Sequence, residues 1–300
     1  MPHLGPPTLD PERCTACGLC AQACASMVLA LEPADGARRG RLTLVHPDWC
    51  NACGHCEAIC PAGAIRAPLP LPEGAPKPGR APAVAPEQLE ILLRERRSVR
   101  IYKPEPVPRE LLERVIEAAR HTPTGTNSQN VHWLVLSGRP RVNELRDRCL
   151  AFYTRLFKAV DNPVASLGLR AVVGGRQHGQ LREYLPVVKE AERRMAAGDD
   201  RLLYQAPAVV LVHAEAWDAC SPFNADAALF SASLMAHSLG LGCCFNGFAQ
   251  QAVENSRPLK AWLGIPRDHR CYMTMTVGWP AHRYVGVCER QPAPIRWMTS

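Results

Sequence analysis

The chain has 300 residues, 47% hydrophobic and 21% charged, with no apolar run long enough to cross a bilayer. That length favours two domains, each with its own core. The net charge of +7 arises wholly beyond residue 86, because residues 1–86 carry 7 basic and 7 acidic side chains. The arginines are scattered, with no basic run interleaved with aromatics, which argues against nucleic-acid binding. An anionic cofactor or an acidic electron-transfer partner is a better use for the charge. Met1 to Arg13 lacks the charged start and apolar stretch of a signal peptide, so a cytoplasmic location is expected.

The first element is a doubled cysteine pattern. Cys14, Cys17, Cys20 and Cys24 follow C-x2-C-x2-C-x3-C, and Cys50, Cys53, Cys56 and Cys60 repeat it with Pro61 next. Three thiolates at this spacing wrap one iron–sulfur cube, and the fourth, a helical turn later, reaches the other. The expected sets are Cys14, Cys17, Cys20 and Cys60 on one [4Fe–4S] cluster and Cys50, Cys53, Cys56 and Cys24 on the second. Gly18 and Gly54 occupy matching places where the backbone must bend close to a cube. Zinc is the alternative, but a zinc site needs four ligands and has no use for the third cysteine of each run. The pattern resembles the two-cluster ferredoxins over about residues 8–66, so 1–66 is expected to be a ferredoxin-like domain. Ala25, where a proline would follow the first run, is the one departure. The remaining cysteines (Cys149, Cys220, Cys243, Cys244, Cys271 and Cys288) lack metal spacing and are expected to be packed inside. An adjacent Cys243–Cys244 pair would make a strained disulfide, so burial is favoured there too.

Residues 67–86 contain seven prolines in twenty positions. They form a linker that cannot be a continuous helix and favours extended polyproline geometry. From residue 87 the chain reads as a larger domain extending to 300. Glu87 to Arg96 predicts a helix, and Pro108 opens another in which Leu111, Leu112, Val115, Ile116 and Ala119 keep a 3.6-residue period. Trp133 to Leu136, Ala208 to Val212 and Met273 to Val277 read as buried strands. Arg141 to Asp200 reads as helical with irregular pieces. Asn224 to Leu239 is apolar on every side, which predicts a helix buried all round and suggests a core shared between two subunits. Helices and strands mix without a βαβ repeat, so the class is α+β. No G-x-G-x-x-G follows a strand, so no built-in nicotinamide domain is expected.

Three segments carry chemistry. Arg96-Arg97-Ser98-Val99-Arg100 can clamp a phosphate, or can be an ordinary basic helix end. Thr122 to Gln129 offers hydroxyls, amides and a glycine, as any polar loop does. Gly240 to Phe248 reads as a helix stop leading into a strand. Taken in order with the final Val277-Gly278-Trp279-Pro280, they resemble the nitroreductase-like FMN family over about residues 88–295, and the whole chain resembles the ferredoxin-fused nitroreductases. The resemblance implies an α+β domain with a central sheet flanked by helices, and an intertwined homodimer with FMN at the subunit interface. By position it makes Arg96, Arg97, Ser98 and Arg100 the flavin-binding basic segment, with Arg96 on the phosphate and Arg100 towards the pyrimidine edge. Pro123, Thr124, Gly125 and Asn127 match a loop laid against the partner's flavin. Phe245, Asn246 and Gly247 match the segment whose backbone N–H groups, those of Asn246 and Gly247, face flavin N5 and O4. Arg290 matches a C-terminal phosphate-binding arginine. The chain departs from many relatives at Asn246 (often acidic), at Asn130 and Val131 (often Pro-Trp) and near Gly286 (often basic). The first two departures put substrate preference in question.

The resulting expectation is an enzyme. Electrons from a low-potential donor such as ferredoxin or an NAD(P)H-linked reductase pass through two clusters to FMN, and then as hydride to a nitroaromatic, quinone or activated alkene. Its rivals are an NAD(P)H-driven flavin reductase with the clusters as exit, and a non-enzymatic redox-sensing partner protein. No spacing singles out a proton donor among His121, His132, His237, His269 and His282.

Overall fold

In a computed structural model of the chain, residues 4–35, 40–71, 79 and 84–299 are described. Most of the proline-rich stretch 67–86 lies outside them. The chain divides into two compact units, Met1–Ala83 with Thr124–Gln129, and Val84–Pro123 with Asn130–Ser300.

The N-terminal unit is built from short elements: β1 (Thr8–Leu9), α1 (Leu19–Ala23), β2 (Leu29–Glu32), β3 (Arg41–Leu44), α2 (His55–Ala58) and β4 (Ile65–Arg66). β1 pairs with β4 and β2 with β3, both antiparallel. The cysteine repeat is also a conformational repeat. Ala16, Gly18 and Met27 have positive φ, and so do Ala52, Gly54 and Gly63, thirty-six positions later. Such left-handed turns are unusual for alanine and methionine, and they curl each loop around its own sulfurs. The core is small, formed by Cys20, Val28, Leu29, Leu42 and Ile65, with Cys14, Cys24, Cys50, Cys56 and Cys60 packed against it.

The second unit contains α3 (Pro86–Glu95), α4 (Arg109–Ala119), β5 (His132–Ser137), α5 (Arg139–Asp161), α6 (Pro163–Val173), α7 (Gly175–Ala196), β6 (Ala208–Glu215), α8 (Ser221–Ser238), β7 (Gly242–Phe245), α9 (Gly247–Glu254), α10 (Arg257–Trp262) and β8 (His269–Gly278). One four-stranded antiparallel sheet runs in the order β5-β6-β8-β7. β6 is buried on both faces, and its period of two divides the core. Val209 and Leu211 meet α5, α9 and α10 through Leu145, Val253 and Leu259. Ala208, Val210 and Val212 meet α4 and α8 through Val115, Leu229 and Ala232. Each such valine or leucine, fully withdrawn from water, contributes roughly 1.5–3 kcal/mol. The stretch 141–200 resolves into three helices because Asn162 caps α6, accepting from the Val164 and Ala165 amides at 3.0 Å, and Gly174 (φ 84°) ends it.

α8 departs from its expected all-round burial. Ala225, Ala228, Leu229, Ala232 and Ala236 are buried, but Phe223 is 75% and Phe230 42% exposed. With Ala227 and the half-buried Leu234, these residues form one apolar stripe at helical spacing that the single chain leaves uncovered. Two of the cysteines expected inside are also not buried: Cys288 is exposed and Cys220 half-buried, whereas Cys149, Cys243, Cys244 and Cys271 are buried.

Candidate functional site

In the N-terminal unit, Cys14, Cys17, Cys20 and Cys60 line one small pocket, together with Leu9 and Ile65. This is the first four-cysteine set expected from spacing. The two runs share one backbone contact. The Val28 amide donates to Cys24 Sγ and the Ala64 amide to Cys60 Sγ, both at 3.3 Å and both four residues on. Burial foremost, and then the neighbouring Cys53 and Cys50, push the Cys56 thiol up to about 11. Thiols gathered around one point favour an ion that takes them as thiolates.

The loop Thr124–Gln129 belongs to this unit. Its Asn127 Nδ2 donates to the carbonyl of Asn51, inside the second cysteine loop, at 2.9 Å. Thr126, Asn127 and Gln129 all have φ between 46° and 55°. A β-branched residue in that region is strained, and such strain concentrates where a loop must hold a set shape.

In the second unit the basic segment is fixed against the edge of the sheet. The Val99 amide donates to the Cys243 carbonyl at 2.9 Å, extending the sheet beyond β7 as a parallel bridge. Gly242 makes this approach possible, because a Cβ there would lie 2.7 Å from Val99 Cγ2. Tyr102 clamps the segment from behind, its hydroxyl donating to the Val99 carbonyl at 2.7 Å and lying 2.8 Å from Thr276 Oγ1. Arg96 reaches the buried Cys243, and one of its terminal nitrogens, Nη1, is buried without a hydrogen-bond partner. Ser98 and Arg100 reach Cys244, and Arg100 lies over the Tyr204 ring at 5.9 Å. Arg97 points elsewhere, into an open cleft that it lines with Val99, Lys103, Gly242 and Tyr284. The four basic-segment residues therefore do not share one face.

Phe245, Asn246 and Gly247 join β7 to α9. One expectation needs correcting here: the Asn246 backbone N–H is committed to the Thr274 carbonyl at 2.8 Å and has no proton to offer a ring. The Gly247 amide, at the exposed first position of α9, has no intrahelical acceptor and remains available. The Asn246 side chain works inward, accepting from the Ala249 amide at 2.8 Å and donating to the Leu202 carbonyl. Asn130 is likewise structural, donating to Asp218 and Ser221 and accepting from Asn224. Arg290 is exposed beyond β8, its amide on Glu289, and among the described residues it makes no bond to the basic segment. Tyr284 is the tail residue that does, donating to the Ser98 carbonyl at 3.2 Å.

Sequence comparison decides the relationship. The pattern of the Nitroreductase family matches residues 93–279, more than half of the chain. The chain belongs to the Nitroreductase family. Ahead of that nitroreductase portion, residues 13–64 match the 4Fe-4S dicluster domain. The nitroreductase fold is also that of the FMN-bound nitroreductases from Bacteroides fragilis and Desulfitobacterium hafniense. These cover 71% and 72% of this chain and 99% and 100% of their own, at TM-scores of 0.52 and 0.50 and 20% identity. Two curated relatives are similar over shorter stretches. Nitroreductase NfnB of Mycolicibacterium smegmatis is 42% identical over 52 residues, 17% of this chain and 22% of its own length. The 4-nitrobenzoate reductase of a Nocardioides species is 37% identical over 90 residues, 30% of this chain and 35% of its own length. The chain thus spans about a fifth to a third of the curated relatives it matches.

Sequence reasoning passed over one grouping. His132 and His269, read as isolated histidines, converge with His213 and Glu215 at one end of the sheet. The signal was available in the strands, since His132 begins β5, His213 and Glu215 end β6, and His269 begins β8.

Proposed function

We propose that the chain is an iron–sulfur flavoprotein oxidoreductase holding two [4Fe–4S] clusters and one FMN. When bound, these groups supply the redox chemistry: clusters carry single electrons from a low-potential donor, and a flavin turns them into hydride for an electron-poor acceptor. The observation that carries this reading is the four-thiol pocket of Cys14, Cys17, Cys20 and Cys60, on the same chain as a nitroreductase domain. Cys24, Cys50, Cys53 and Cys56 would hold the second cluster.

The flavin fits an orphaned donor. Arg96 Nη1, buried and unpartnered, would take the phosphate, removing the cost of an unsatisfied buried cation. Ser98 would assist it, and Arg100, steadied over Tyr204, would present positive charge to the pyrimidine edge. The Gly247 N–H would face N5 and O4, with Asn246 setting its position from below. Arg97 faces the cleft beside Tyr284 instead, and Arg290 makes no described bond to this segment, so Arg96 and Ser98 would carry the phosphate. Pro123, Thr124, Gly125 and Asn127 would lie against the other subunit's flavin in a homodimer, and the uncovered Phe223–Phe230 stripe of α8 supports such a partner. The donor would be ferredoxin or an NAD(P)H-linked reductase. Nitroaromatics lead the acceptor classes, ahead of quinones and activated alkenes, because both curated relatives are named for nitro reduction.

Oxygen-free purification followed by iron, sulfide and flavin analysis tests the proposal. The expected content is about eight irons and one FMN per chain, because two four-iron cubes and one flavin site are implied. A colourless protein, or one carrying zinc and no flavin, contradicts it.

A further inference from the structure

We infer that His132, Glu215 and His269 form a binding site for a divalent cation of the zinc class, separate from the cluster thiols and the flavin segment. One ligand atom from each residue lies within 4.8 Å of the others. Two imidazoles and one carboxylate are the donor set that borderline cations such as zinc prefer, and three protein ligands leave a fourth position open to water or a small ligand.

The sheet places these residues together. His132 pairs across the ladder with His213, and Glu215 with His269, so ends of three neighbouring strands meet. His213 and Glu215 are two apart on β6 and share a face. Backbone hydrogen bonding on β5, β6 and β8 therefore sets the ligand spacing before any ion arrives, which lowers the ordering cost of binding.

Two details distinguish this group from an ordinary ion-pair cluster. Glu215 Oε2 is buried with no hydrogen-bond partner, while Oε1 stands 3.9 Å from His132 Nε2, beyond hydrogen-bond range. A withdrawn carboxylate oxygen left unsatisfied is costly, and a cation is the partner it lacks. Behind the ligands, His213 Nδ1 lies 3.0 Å from His269 Nδ1, one ring donating to the other. Metal-bound imidazoles are oriented by such a second contact. Access comes from the His132 side, 51% exposed, while Glu215 and His269 are more buried.

The test uses the full chain, purified without oxygen, with iron measured in the same samples. Wild type, His132→Gln, Glu215→Gln and the exposed control Glu113→Gln are equilibrated with zinc sulfate and desalted, and bound zinc is determined by elemental analysis. Wild type and Glu113→Gln are expected to retain about one zinc per chain, with affinity falling at least about tenfold in each site variant at unchanged iron content. Zinc should also raise the unfolding temperature of wild type but not of Glu215→Gln. Circular dichroism checks folding, and the half-exposed His132→Gln serves should Glu215→Gln misfold. Absence of zinc from wild type, or equal retention by the site variants at matched iron, overturns the inference.

Discussion

Asn246 shows how a single side chain sets the candidate site. Its amide does two opposite jobs at once, accepting from the Ala249 N–H at the start of α9 and donating to the Leu202 carbonyl. An aspartate can do the first but not the second. Asn246→Asp is therefore expected to lower stability by about 1–3 kcal/mol, because a carboxylate would face a carbonyl with no proton between them. Urea denaturation measures this as a lower midpoint at unchanged slope. Arg96 illustrates the converse: its unpartnered nitrogen matters because nothing else in the described chain satisfies it.

At the level of elements, the sequence was most legible where the hydrophobic period was long. α4 lies over the stretch that a 3.6-residue period marked, and β5, β6, α8 and β8 lie over stretches marked by continuous apolar composition, because burial on one or both faces leaves such a signature. The two-residue and four-residue strands of the N-terminal unit left no such mark. They are held by pairing and by sulfur-centred packing, which no local period records. At α8, apolar residues on all sides do not reveal which face the chain itself covers and which would be left to a partner. In the proposed homodimer the partner covers the stripe of Phe223 and Phe230. A Phe230→Glu variant should then sediment as a monomer where wild type sediments as a dimer, and it should lose flavin on gel filtration. An unchanged sedimentation coefficient would remove the stripe from the interface.

Across the whole molecule, the division of labour follows composition. The cysteine-rich, charge-neutral first 86 residues and the basic remainder match two kinds of redox chemistry. The proposed cluster ligands were readable because eight thiols at fixed spacing have few other uses. The proposed flavin segments were readable only in combination, and the structure narrows them: it separates Arg97 from Arg96, commits the Asn246 N–H to the sheet and leaves that of Gly247 open. The His132–His269 grouping was unreadable because its members lie far apart in sequence and meet only through strand register. The central claim is that electrons reach the flavin through the clusters. Its most direct test is anaerobic turnover of a nitroaromatic by wild type and by a Cys17→Ser, Cys53→Ser double variant that retains FMN, with reduced ferredoxin or NAD(P)H as donor. Ferredoxin-driven turnover that falls to background in the variant supports the account, whereas NAD(P)H alone driving the variant at the wild-type rate contradicts it.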